Sequence, residues 1–213
     1  MFSHPWRELV AVAFALVLVL LLGQAYSHGI RLPNHGAWRP VAESLNQALI
    51  FSPVALLLVV RHQGWETAWL PRGALLPRLA IGIALSFVAL LVYTAAEADA
   101  PTFGGVLLNV YAPANVPIAV QVLCEDVTIA VLVVRLAAAV WPRWAIVATA
   151  ALFAAGHLPT MLEEGASTGA LLGLFVDFGL GVLVLGTAWR GADILWFWPI
   201  HTVLDITQFV RAA

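Results

Sequence analysis

Apolar runs long enough to cross a bilayer alternate with short polar breaks along the whole chain. A spanning helix needs about 20 mostly apolar residues. With that window the pattern predicts seven spans, at 9–27, 42–60, 77–96, 116–137, 143–159, 169–189 and 192–210. The expected fold class is all-α, a polytopic membrane helix bundle of about seven transmembrane helices. One membrane domain then covers 1–213, with N-terminal helices in 1–96 and a motif-bearing core in 115–210. The first run is uninterrupted from Leu9 to Leu22, and Ala25-Tyr26-Ser27 has the small residues of a signal-peptide cleavage site. Glu8 beside Arg7 makes a weak signal n-region, which favours a retained helix.

The breaks between runs carry their own information. Trp6, Trp38, Trp65, Trp69, Trp141, Trp144 and Trp189 fall near span ends, where an interfacial aromatic belt places them. Trp196 and Trp198 lie further inside the last span, with His201 within reach. The stretch 97–117 holds Pro101, Gly104-Gly105, Pro113 and Pro117 around Val106-Leu107-Leu108. It reads as a surface loop, the alternative being a short interfacial element that shields the polar site. Pro159 is expected to end the fifth span close to His157, because proline disfavours helix in the residue before it. Arginine counts favour a cytoplasmic N-terminus. Arg7, Arg61, Arg72, Arg78, Arg135, Arg143 and Arg190 then fall inside, while Arg31, Arg39, Arg211 and the acidic residues Glu97, Asp99, Glu163 and Glu164 fall outside.

Composition agrees with a membrane domain and excludes other classes. The chain of 213 residues is 62% hydrophobic and only 10% charged, against about a quarter charged in soluble domains. A net charge of −2 and ten basic residues, all arginine, offer no basic patch for nucleic acid. Cys124 is the only cysteine, so no internal disulfide forms. The expected partners are the lipid bilayer and a membrane-associated protein or peptide.

Against this apolar background a few ionisable residues stand out. Glu125-Asp126, Phe153 with His157, and His201 with Asp205 sit on three different predicted spans. Each charge at a helix centre costs about 2.5–3.5 kcal/mol by insertion scales, so their coincidence calls for a shared polar site. The pairs 153/157 and 201/205 are four apart and each shares a helix face. Asp177 is a further mid-span acid with no partner evident from sequence. Gly165-Ala166-Ser167-Thr168-Gly169 matches a Gly-x-Ser-x-Gly pattern, but it lacks the strand–turn–helix setting of a nucleophile elbow, and Ser167 or Thr168 suits a helix N-cap. His28 and His35 lie in a Pro/Gly loop and read as solvated.

In order and spacing, these fragments resemble the motifs of the CPBP intramembrane glutamic endopeptidases. These are the type II CAAX prenyl protease and bacteriocin-processing group, also called the Abi family. Their pattern is Glu-Glu-x-x-x-Arg, Phe-x-x-x-His, then His-x-x-x-Asn or Asp on successive helices. Here Glu125-Asp126, Phe153-Ala154-Ala155-Gly156-His157 and His201-Thr202-Val203-Leu204-Asp205 stand in those places. The stretch Gly179–Gly186 with Gly191–Trp196 adds to the likeness, which covers roughly 115–210. Two departures matter: the second acid is Asp126, and the arginine position is Ala130. Arg135 is ten residues from Glu125, a turn of about 80° on a helix, which directs it away towards the cytoplasmic interface.

The resemblance implies that Glu125 and His157 activate a water that attacks a peptide carbonyl. It makes His201 and the residue four later the oxyanion donors, with Asp126 and Phe153 in supporting roles. An ionised Asp205 would repel an oxyanion, so Asp205 is expected to hold His201 protonated or correctly oriented instead. No cofactor is implied; the alternative is zinc held by Glu125, His157 and His201. Two other classes stay open. One is a binding or immunity-type scaffold without turnover, favoured by Ala130. The other is an ion or proton transporter that uses Asp177. The expected location is the cytoplasmic (inner) membrane of a bacterium.

Overall fold

The computed structural model describes residues 2–70, 72–96, 102–163, 165–191 and 193–210. Among these the fold is helical throughout, with eight α-helices and no strand. They are α1 (Pro5–Ser27), α2 (Arg39–Val60), α3 (Leu75–Ala96), α4 (Phe103–Val110), α5 (Val116–Ala139), α6 (Pro142–Glu163), α7 (Thr168–Gly191) and α8 (Phe197–Val210). Five are long and apolar enough to cross a membrane: α1, α2, α3, α5 and α7. The chain is a multi-pass membrane protein. Glu97, Asp99, Pro101, Glu164 and Arg211 lie outside the described residues.

Helix α5 is the hub, packing against α1, α2, α6 and α8. Three apolar clusters radiate from it. One joins α5 to α6, α7 and the turn at 65–70, through Ala130, Val133, Ala145, Ala150, Leu185 and Trp69. A second joins it to α1 and α2 through Val12, Val54, Leu58, Val131 and Leu132. The third seats α3, α4 and α8 together around Leu90, Val106, Val110, Val203 and Ile206. Helices α6 and α8 each lean on α5 rather than on each other.

Three elements depart from the sequence expectation. The stretch read as a loop contains α4. Thr102 caps it, its hydroxyl accepting from the Gly105 amide at 3.3 Å, and Val106 and Val110, one turn apart, bury a single face on α3 and α8. That face of α8 bears Val203 and Ile206. The fifth span does not stop at Pro159, since α6 runs on to Glu163. Packed membrane helices tolerate such prolines because neighbouring groups satisfy the freed backbone. The last span, expected from 192, yields a helix only from Phe197 and of 14 residues. That is about 21 Å long, short of the roughly 30 Å hydrocarbon core. The lost turn goes into an anchor. Asp193 Oδ1 accepts from the Leu195 amide at 2.9 Å, Asp193 meets Arg78 at 3.3 Å, and the Ile194 amide donates to Trp69 O at 3.0 Å.

The arginine-bearing ends gather at one pole. Arg61 pairs with Glu8, Gln63 Nε2 donates to Glu8 at 2.6 Å, and Arg135 donates to Gln63. This joins the start of α1, the end of α2 and the end of α5. The Glu8 carboxylate beside the exposed Arg61 holds that guanidinium's pKa above its usual value. Arg135 is not turned out to an interface as expected. It is fully buried, donating also to Thr67 O and Oγ1 at 3.2 Å and Val131 O at 3.0 Å, with Phe2 stacked on its guanidinium.

Trp69 likewise leaves the expected belt. It is 4% exposed and packs edge-on against Trp189, because the left-handed backbone at residue 69 (φ 55°) turns its side chain into the bundle. Trp6, Trp38, Trp65, Trp141 and Trp144 stay exposed, as a belt requires.

Candidate functional site

Glu125 and Asp126 are neighbours in sequence but not in direction. Consecutive helical side chains leave the axis about 100° apart. Asp126 faces α8 and is buried at 3% exposure, with its Oδ1 2.8 Å from His201 Nδ1. Glu125 stays on the side of α5 that carries Gln121, whose Nε2 donates to Glu125 Oε1 at 2.8 Å. Gln121 in turn lines a cavity walled by α2. The adjacent acids therefore serve different neighbours.

His201 is held between two carboxylates. Its Nε2 lies 3.5 Å from Asp205 Oδ1, one helical turn along α8. An imidazole can donate from both nitrogens only as imidazolium, so an ionised acid on either side favours the charged ring. Asp126 has the shorter contact and is the orienting partner, the part the sequence reading gave to Asp205. The Asp126 Oδ2 atom is buried without a hydrogen-bond partner among the described residues, a state that costs about 1–3 kcal/mol. Phe197, one turn before His201, packs on the imidazole with ring centroids 5.3 Å apart. Trp198 Nε1 donates to Ala119 O at 2.7 Å and Trp196 packs edge-on against Phe197.

His157 stands apart from the acid pair. It is exposed on α6, its Nδ1 is 3.0 Å from Phe153 O, and its ring meets Phe153 edge-on at 4.9 Å. The predicted shared face of 153 and 157 is therefore present. No hydrogen bond joins His157 to Glu125 or His201 among the described residues. The structure thus joins Asp126, His201 and Asp205 in one polar cluster, with Glu125 next to Asp126 in sequence but turned to Gln121, and His157 on α6.

The arginine position is filled by packing. Ala130 is fully buried in the cluster with Trp69 and Val133, and Arg135 is committed to Gln63 and Thr67. Neither places a cation beside Glu125. Among the described residues no three His, Cys, Asp or Glu side chains are gathered closely enough to hold a metal ion. Asp177 is exposed midway along α7, among the exposed Phe175, Val176 and Leu180. It therefore does not join the acids. Ser167 precedes α7 and its carbonyl accepts from the Leu171 amide at 3.0 Å, the expected cap position. His28 and His35 are exposed, in line with their reading as solvated residues.

Gln121 and Phe197 were not picked out from sequence. Both lie one turn before a chosen residue, Glu125 and His201, and the four-residue spacing was the available signal. No family model, curated protein or solved structure matches this chain.

Proposed function

We propose that this chain is a CPBP-type intramembrane endopeptidase, hydrolysing a peptide bond of a membrane-associated protein or peptide in the inner membrane of a bacterium. The observation that supports the reading is the polar cluster itself: an imidazole bridged by Asp126 and Asp205, with Glu125 next to Asp126 in the sequence of α5. Glu125, with one carboxylate oxygen bound to Gln121, is the proposed general base. His201, oriented by Asp126 through Nδ1, donates from Nε2 to a developing oxyanion in exchange for its longer contact with Asp205. His157 approaches from α6 as a substrate-side group.

Glu125→Gln tests the reading. It removes the base with little change in size, and general-base catalysis contributes about 10²–10⁴-fold. Purified protein in detergent, assayed against a panel of membrane-anchored fluorogenic peptides, should lose at least 100-fold in rate with an unchanged unfolding midpoint. Equal rates for the variant and the parent exclude a glutamate-based hydrolase.

A second reading has one observation behind it. With Ala130 in the apolar core and Arg135 tied elsewhere, no arginine pairs with the acids among the described residues. A binding scaffold without turnover fits that state, and it predicts no hydrolysis by the parent protein on the same panel.

A further inference from the structure

A cavity of about 330 Å³ lies where the first turns of α2 and α5 meet. It is lined by Arg39, Glu43, Gln47, Gln121 and an apolar floor that includes Pro117 and Ile118. This volume lies at the lower end of the range for small-ligand pockets. Its polar lining divides by task. Glu43 is already engaged, accepting from the Tyr26 hydroxyl and from Asn34. Arg39 is exposed at the rim with its charge available. Gln47 and Gln121 carry carboxamides, each with a donor and an acceptor, the pairing that a peptide amide needs. Gln121 also donates to Glu125, so one residue belongs to both the cavity wall and the acid cluster.

We infer that this cavity binds a short extended peptide segment bearing an acidic side chain, its amides on Gln47 and Gln121 and its carboxylate on Arg39. The inference rests on the endopeptidase reading, for which it supplies the substrate-binding side. Gln121 is then a positioning residue that reports cavity occupancy to Glu125 through their shared hydrogen bond. Glu43, fixed by Tyr26 and Asn34, repels an acidic group from the inner wall and leaves Arg39 as its only counter-charge in the lining.

The test reads binding without relying on turnover. In the full chain carrying Cys124→Ala, Ala114→Cys in the cavity lining is labelled by a water-soluble maleimide in detergent. An acetylated, amidated tripeptide of two alanines and glutamate should slow labelling at least tenfold, while the same peptide ending in lysine should not. Adding Arg39→Ala should abolish the protection, Arg39→Lys should retain most of it, and Glu125→Gln should leave it intact. Labelling that neither peptide slows, or protection that survives Arg39→Ala, overturns the inference. Protection without any Glu125-dependent hydrolysis supports the peptide site while removing the endopeptidase reading. Glu125-dependent hydrolysis without protection does the reverse.

Discussion

Asp126 and Asp205 make unequal claims on His201: one oxygen at 2.8 Å from Nδ1, the other at 3.5 Å from Nε2. Hydrogen-bond strength falls steeply over that range. Asp126→Asn should therefore cost the proposed hydrolase about 100-fold in kcat/KM, and Asp205→Asn clearly less, as steady-state kinetics on one peptide would show. The reverse order returns the orienting role to Asp205. At this scale the sequence was informative about which residues matter and poor on direction. Glu125, Asp126, His201 and Asp205 announce themselves as charges in apolar runs. The divergence of 125 from 126 needs the identities of the packed neighbours, which no single-helix argument supplies. The exposure of His157 depends on α6 and α8 both leaning on α5, a tertiary fact.

Among the elements, α3 approaches the start of α8 closely at Gly82. A Cβ on Gly82 would stand 2.5 Å from Trp196 O and 2.9 Å from Pro199 Cγ. Overpacking of this kind costs about 1–3 kcal/mol. Gly82→Ala should lower the unfolding midpoint in detergent, while Gly179→Ala, whose new methyl meets nothing within 4 Å, should be neutral or slightly stabilising through helix propensity. Equal midpoints for the two variants contradict the close packing of α3 on α8. The long helices were legible because twenty apolar residues have few other fates in a membrane protein. The element α4 was not, since Gly104-Gly105 mimic a loop and only the Thr102 cap with the Val106/Val110 spacing betrays a helix. The shortened α8 was hidden for a related reason. Its first residues are apolar enough to read as span, yet Asp193 and Ile194 bind Arg78 and Trp69 instead.

The whole molecule is organised around α5, and its Arg135 shows how far that reaches. Arg135 ties α5 to Gln63 and Thr67, and through Gln63 to Glu8 on α1. Removing one member of a buried polar network typically costs about 3–5 kcal/mol. Arg135→Ala should destabilise the protein by about that amount, measured by chemical unfolding in detergent, whereas Arg143→Ala, whose guanidinium meets only exposed Trp141 and Trp144 among its ring contacts, should change it little. The same dependence bears on the segment 115–210, which holds every motif residue. Severed from α1 and α2, that segment would expose Val131 and Leu132 and strip Arg135 of Gln63. Produced alone it should fail to accumulate in membranes, and co-production of residues 1–96 as a separate polypeptide should rescue it by complementation.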